Sequence, residues 1–177
     1  MLTPIKSKLQ RARNASFAIV ASEFNARYVD AMLRAAQAEL KRAGARPIVV
    51  VRVPGAYEIP VVVEHLARNA STPDTDGSPG RSLSAIICLG VILRGQTVHA
   101  AHIGEAVSRA VMEIQLRYVL PVIHQVLLLE NEEQARVRCL SKSHNRGTEA
   151  AQTALRMAKV MKALGNHNNQ KRRSVRA

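Results

Sequence analysis

Ser84-Ala-Ile-Ile-Cys-Leu-Gly90-Val-Ile-Leu-Arg-Gly95-Gln-Thr97-Val-His99 is the stretch that decides the fold. Its first part is an apolar run with no polar alternation, the pattern of a strand buried beneath helices. The strand is expected to end at Leu89, before Gly90, and a helix-compatible stretch follows from Ala100. A buried strand that passes through a Gly/Thr loop into a helix sets backbone N–H groups and a hydroxyl where a phosphate can bind. His99 stands at the mouth of that loop, and an imidazole titrates near neutral pH and can move protons. Strand, anion cradle and histidine in one span point to chemistry on a phosphorylated small molecule.

The strand-then-helix alternation recurs on both sides. Residues 16–21 read as a short buried strand. An amphipathic helix over Ala26–Arg42 follows, with Val29, Leu33, Ala36 and Leu40 at helical spacing. Gly44 suits its C′ position. Residues 47–53 form a β-branched second strand, and Pro54-Gly55 turns it into a helix beginning near Glu58. Residues 70–82, rich in Ser, Thr, Pro, Asp and Gly, read as a flexible surface loop. A long helix is expected over 100–118 and a fourth strand over 122–129. Asn131 caps a short acidic helix, 141–147 is a polar basic loop, and Thr148 caps a last helix reaching Leu164. This order predicts an α/β fold, a three-layer sandwich with a mostly parallel four-stranded sheet between helices. Ligands of such sheets bind beyond the carboxyl ends of the strands.

Charge and composition bound the rest. The chain has 177 residues, of which 47% are hydrophobic and 3% aromatic, so one domain with an aliphatic core is expected. The net charge is +13, and the two ends carry four cations each without an acid, which leaves +5 on the body. The expected division is a basic N-terminal arm over 1–15, one domain over 16–164, and a basic disordered tail over 165–177. Basic arms often touch nucleic acid, but few aromatics argue against a base-stacking surface. Cys88 and Cys139 are too few for a disulfide framework, and Cys88 reads as a buried hydrophobe. The first residues contain no apolar signal segment and no stretch is long enough to span a membrane, which reads as a cytoplasmic protein with no membrane partner.

Each candidate constellation has a plainer alternative. Gly95, Gln96 and Thr97 suit an anion site, and also suit an ordinary strand-to-helix turn. His99 alone reads more often as a surface or cap histidine. His99 and His102 lie at i, i+3 but lack a third ligand with convincing spacing, so no metal is expected. Val53-Pro-Gly-Ala-Tyr-Glu-Ile-Pro60 is either a tight turn or a rim where a carboxylate meets hydroxyls or amines. Phe24, after a strand end in polar surroundings, would suit stacking on a flat heterocycle. Arg138 and Lys142, one helical turn apart, are a solvated face or, with Arg146, a phosphate clamp.

Taken together the segments resemble the 6,7-dimethyl-8-ribityllumazine synthase family. The likeness rests on Ser22-Glu-Phe-Asn25, Val53 to Pro60 as quoted, Ile87 to His99, Pro121-Val-Ile123, Glu133-Gln-Ala135 and Asn145-Arg-Gly147. It implies a flavodoxin-like fold and a cofactor-free, metal-free condensation. The substrates would be 5-amino-6-(D-ribitylamino)uracil and 3,4-dihydroxy-2-butanone 4-phosphate; the products would be the lumazine, phosphate and water. By the resemblance, Phe24 stacks on the pyrimidine and Ala56, Tyr57 and Glu58 line the ribityl site. Val91, Ile92 and Leu93 edge the pyrimidine pocket, Gln96 and Thr97 hold the phosphate, and His99 shuttles protons. Arg138 binds phosphate from a neighbouring subunit. His124 stands where the family usually has Phe, and Val137 where Glu is frequent. The resemblance further implies pentamers with shared sites, a hollow shell of twelve pentamers, and riboflavin synthase as a partner.

Two other readings compete on sequence alone. A non-catalytic polyanion- or RNA-binding α/β module would rely on the basic arms and show steep salt dependence. A flavin- or lumazine-binding relative without turnover would have no use for Thr97, His99 and Arg138 together.

Overall fold

Four parallel strands form the centre of the computed structural model, which describes residues 11–13, 15–71 and 82–174, with side chains to 166. β1 (Phe17–Ser22) lies between β2 (Ile48–Val53) and β3 (Ala85–Leu93), and β4 (Val122–Leu129) pairs with β3. The crossovers are α1 (Ala26–Arg42), α2 (Ile59–Ser71) and α3 (His99–Tyr118). After β4 come a short α4 (Glu132–Ala135), a π-helical turn (Arg136–Leu140) and the long α5 (Arg146–Ser174).

Crossover handedness explains the layers. The chain steps from β1 outward to β2, then returns past β1 to β3 and β4. Right-handed connections in opposite directions put their helices on opposite faces. Hence α1 packs with α5 on one face, and α2 with α3 on the other. Period-two alternation feeds both cores. Phe17, Ile19 and Ala21 face Val29, Met32 and Ala150, whereas Ala18 and Val20 face Val63 and Val107. Each Val, Ile, Phe or Met side chain among them, fully buried, contributes about 1.5–3 kcal/mol. This strand order is the flavodoxin-like one, and its topological switch point falls between β1 and β3.

Several expected boundaries move. β3 does not stop at Leu89 but continues through Gly90 to Leu93, with Gly90 in register with Val126. A β-carbon on Gly90 would lie 3.1 Å from Val126 Cγ1 and 3.5 Å from Ala56 Cβ. The glycine therefore permits close packing within the strand and is not a stop signal. α5 starts at Arg146, and its cap is Asn145, whose Oδ1 accepts the Gly147 N–H at 2.8 Å; Thr148 is already inside the helix. α5 also runs to Ser174, past Leu164, so the backbone over 165–174 is helical where a disordered tail was expected. Extending an existing helix avoids the cost of nucleation, which lets a weak helix-forming segment follow. The N-terminal arm joins the fold from residue 11. Ala12 N–H donates to Ala43 O at 2.8 Å, and Ala12 and Ala15 pack against the core. Residues 1–10, 14 and 175–177, and 72–81 of the expected loop, lie outside the described residues.

Candidate active site

The end of β1 aims the first site residues. Glu23 N–H donates to Val53 O at 2.8 Å and Phe24 N–H to Pro54 O at 3.0 Å, folding the chain over the end of β2. This leaves the Phe24 ring 71% exposed. Asn25 adopts the left-handed conformation at φ 57°, and its Nδ2 donates to Val91 O at 2.8 Å. Asparagine tolerates that backbone better than most residues. The link spans the switch point between β1 and β3.

The end of β2 supplies the facing rim. Gly55 N–H donates to Glu58 Oε2 at 2.9 Å, closing a 3-10 turn over Ala56–Glu58. A β-carbon on Gly55 would meet Glu58 Oε2 at 2.8 Å and Phe24 Cδ2 at 3.3 Å, so glycine lets ring and carboxylate converge there. Tyr57 is also exposed. Two of the chain's five aromatic residues thus stand at one sheet edge facing solvent, a costly use of scarce apolar rings unless a ligand covers them.

The end of β3 completes the arrangement. Arg94 N–H donates to Leu129 O at 2.8 Å, and its guanidinium pairs with Glu130 at 3.1 Å, pinning the loop's first residue to β4. Residues 95–98 then run openly to α3, and a β-carbon on Gly95 would meet nothing within 4 Å. No side chain caps α3 from Val98, and Thr97 Oγ1 accepts the His99 N–H only at a long 3.4 Å. Ala101 N–H donates to Val98 O at 3.0 Å, so the His99 and Ala100 N–H groups at the start of this 20-residue helix are the ones open to an incoming anion.

One cleft of about 1100 Å³ gathers Phe24, Ala56, Tyr57, Glu58, Val91, Ile92, Leu93, Thr97 and His99. The remaining candidates lie elsewhere on this chain. Gln96 is exposed on the loop but does not line the cleft, and Arg138 is half-buried in the π-helical turn. Lys142 is exposed beyond that turn, and Arg146 is paired with Glu149. His124 stands on β4 with Nε2 3.0 Å from Ser108 Oγ of α3. Ser108 donates its hydrogen to Gly104 O at 2.7 Å, so the network assigns the bond's hydrogen to His124 Nε2. Desolvation lowers the pKa of that imidazole.

Sequence reasoning missed one wall. The cleft continues along α3 past His102 to Glu105, Arg109 and Glu113, with Arg109 paired to Glu105 at 3.2 Å. Their spacing of three and four marks one helical face, a signal present in the sequence. Asn25 also lines the cleft. Cys88 takes no part, because burial pushes its thiol up to about 12. Among the described residues no three His, Cys, Asp or Glu side chains are grouped as a metal centre would need, and no helix is long and apolar enough to cross a membrane.

Comparison with known proteins places the chain among relatives of one family. Residues 14–162 match the family described as 6,7-dimethyl-8-ribityllumazine synthase. A protein of that name from Xanthomonas campestris pv. campestris (strain B100) is 36% identical over 156 residues, which span 87% of this chain and 94% of the relative. Its counterparts from Xanthomonas oryzae pv. oryzae (strain PXO99A) and Xanthomonas axonopodis pv. citri (strain 306) are likewise 36% identical over the same shares of each chain.

Proposed function

The chain belongs to the 6,7-dimethyl-8-ribityllumazine synthase family, and we propose that the cleft from Phe24 to His99 is where it carries out the family's condensation. It is a transferase of riboflavin biosynthesis. The substrates are 5-amino-6-(D-ribitylamino)uracil and 3,4-dihydroxy-2-butanone 4-phosphate. The observation that carries the assignment is that Phe24, Tyr57, Glu58, Thr97 and His99 share one cleft at the sheet's switch point.

Each residue type fits a step. Phe24 stacks on the pyrimidine, whose edge rests on Val91, Ile92 and Leu93. Glu58, with Ala56 and Tyr57, takes the ribityl hydroxyls. Thr97 and the open start of α3 hold the phosphate. The substrate amine adds to the ketone and water leaves as an imine forms. Phosphate is then eliminated, and attack of the ribitylamino nitrogen on the remaining carbonyl closes the second ring with loss of a second water. Every step moves a proton, and His99 at the cleft mouth carries it. Cationic groups stabilise the departing phosphate.

Arg138 completes the phosphate site from a neighbouring subunit, which accounts for its position away from its own chain's cleft. His124 faces the substrate across the same interface. The subunits form pentamers with shared sites and, twelve together, a hollow shell in the cytoplasm that works beside riboflavin synthase. Exposed Met112 and Leu116 of α3 and Leu128 of β4 supply apolar surface for subunit contact. Mixing the protein with both substrates and following lumazine fluorescence and phosphate together tests the reading. One phosphate per lumazine is expected; absence of lumazine overturns it.

A further inference from the structure

A second cavity opens at the opposite end of the sheet. It has a volume of about 650 Å³ and lies where the strands begin: Ala15 precedes β1, Ser82 to Ser84 precede β3, and Val119 to Pro121 precede β4. The nine residues of β3, at roughly 3.3 Å each, separate it from the catalytic cleft by about 30 Å.

Its walls carry one sign of charge. Arg11 and Arg13 enter from the N-terminal segment, Lys159 and Lys162 from α5, and among the described residues no Asp or Glu lines it. None of the four forms an ion pair among the described residues. The fold itself brings them together. Ala12 N–H is held by Ala43 O, which fixes Arg11 and Arg13 on either side. Lys159 and Lys162 lie three apart and so share a helix face. Four like charges in a concave, partly apolar site repel one another, and such a site concentrates anions.

Beneath the cations is an apolar floor of Leu83, Leu120, Leu155, Ala158 and Met161. At its edge Val119 holds the left-handed conformation at φ 50° with its side chain 70% exposed. A β-branched residue in that conformation is strained, and strain of this kind collects at functional sites. The volume lies within the range of about 300–1,000 Å³ that encloses small ligands. It is small for a nucleic-acid strand.

We propose that this cavity binds a small organic phosphate, its charge on Arg11, Arg13, Lys159 and Lys162 and its flat or apolar body on the floor. The site is independent of the reaction assigned to the catalytic cleft. Calorimetric titration of the full chain with ADP, adenosine and inorganic pyrophosphate tests it. ADP should bind more tightly than either fragment. Lys159→Glu with Lys162→Glu should weaken ADP at least about tenfold, since one lost charge-assisted hydrogen bond is already a tenfold to hundredfold effect. Lys159→Gln with Lys162→Gln gives the same reading should the charge reversal fail to fold. Arg138→Ala should leave ADP affinity unchanged, and lumazine formation in the Lys159/Lys162 variant should match wild type. Equal ADP affinity in wild type and that variant overturns the proposal. So does loss of binding in Arg138→Ala, which would put ADP in the catalytic cleft. Loss on deleting residues 171–177 alone also overturns it, by placing the anion on the basic end.

Discussion

Asn25 ties the end of β1 to the end of β3: its Nδ2 donates to the Val91 carbonyl at 2.8 Å while its own backbone is left-handed. One side chain thus meets two demands at the switch point, and substitutions can separate them. Asn25→Ala should lose about 1 kcal/mol for the hydrogen bond and roughly 1–2 kcal/mol more for the backbone conformation. Asn25→Gly should lose the hydrogen bond but not incur the backbone strain. We expect urea midpoints in the order wild type, Gly, Ala, with activity reduced in both variants. An Ala variant as stable as the Gly one would show that the backbone at 25 imposes no strain.

Gly147 seats α5 on α1. A β-carbon there would lie 2.0 Å from Met32 O and 2.6 Å from Met32 C, contacts that no side-chain rotation relieves. Gly147→Ala must move the two helices apart, and overpacking of this kind costs about 1–3 kcal/mol and occasionally more. The melting temperature should fall by at least several degrees. An unchanged value would mean that α5 can shift along α1 without loss.

These two positions show how far the sequence can be read. Apolar runs and helical spacing make β1, β2, β4 and α1 legible, because aliphatic runs and amphipathic stripes are local patterns, whereas α2 and α3 are placed by the turn and loop that precede them. The rim residues Phe24, Tyr57 and Glu58 were legible because they follow strand ends. Gly90 was misread as a stop because its partners, Val126 and Ala56, are distant in sequence, and only packing shows that the strand needs a missing side chain there. Thr148 looked like a helix cap by residue type, yet Asn145 holds that role, since a cap depends on which side chain reaches the free N–H groups. The α3 wall of the cleft carried a helical-face signal but no expected chemistry, so it went unseen.

His124 should make stability depend on pH. Desolvation holds its folded pKa below the usual 6.5, so the unfolded chain takes up a proton at a higher pH than the folded one. Stability from this group is complete above about pH 6.5 and is lost as pH falls from there through the lower folded value. His124→Phe should flatten that part of the curve, measured as urea midpoints across the acid side of neutrality. A mutant that loses as much stability on acidification as wild type would assign the effect to other groups.

Arg138 tests the shared site. Arg138→Ala should weaken the butanone phosphate about tenfold to a hundredfold, the worth of one charge-assisted hydrogen bond, and leave the pyrimidine nearly unaffected. Because Arg138 does not line its own chain's cleft, a site spanning two subunits predicts complementation. Subunits carrying Arg138→Ala, dissociated and reassembled with subunits carrying Phe24→Ala, should regain activity at interfaces that combine the intact halves. No recovery in confirmed hybrid assemblies would rule out a phosphate contact from a neighbour.

His99 is the first residue of α3, exposed at the mouth of the cleft, and its side chain carries no packing that the fold needs. His99→Ala should therefore fold normally and still bind both substrates. General acid–base catalysis typically contributes about 10²–10⁴-fold. The reaction joins a nucleophilic diamine to a reactive ketone, and much of its barrier is the entropy of bringing two molecules together. Positioning can supply about 7–11 kcal/mol without any proton transfer. The Phe24 ring, the Glu58 rim and the open start of α3 all survive the substitution, and water can replace the imidazole as proton carrier. The expected loss in kcat is therefore near the bottom of the acid–base range, about tenfold to a hundredfold. KM should change little. Steady-state kinetics decides: a loss beyond about 10⁴-fold with intact binding would make proton transfer the dominant barrier, and an unchanged kcat would remove His99 from the mechanism.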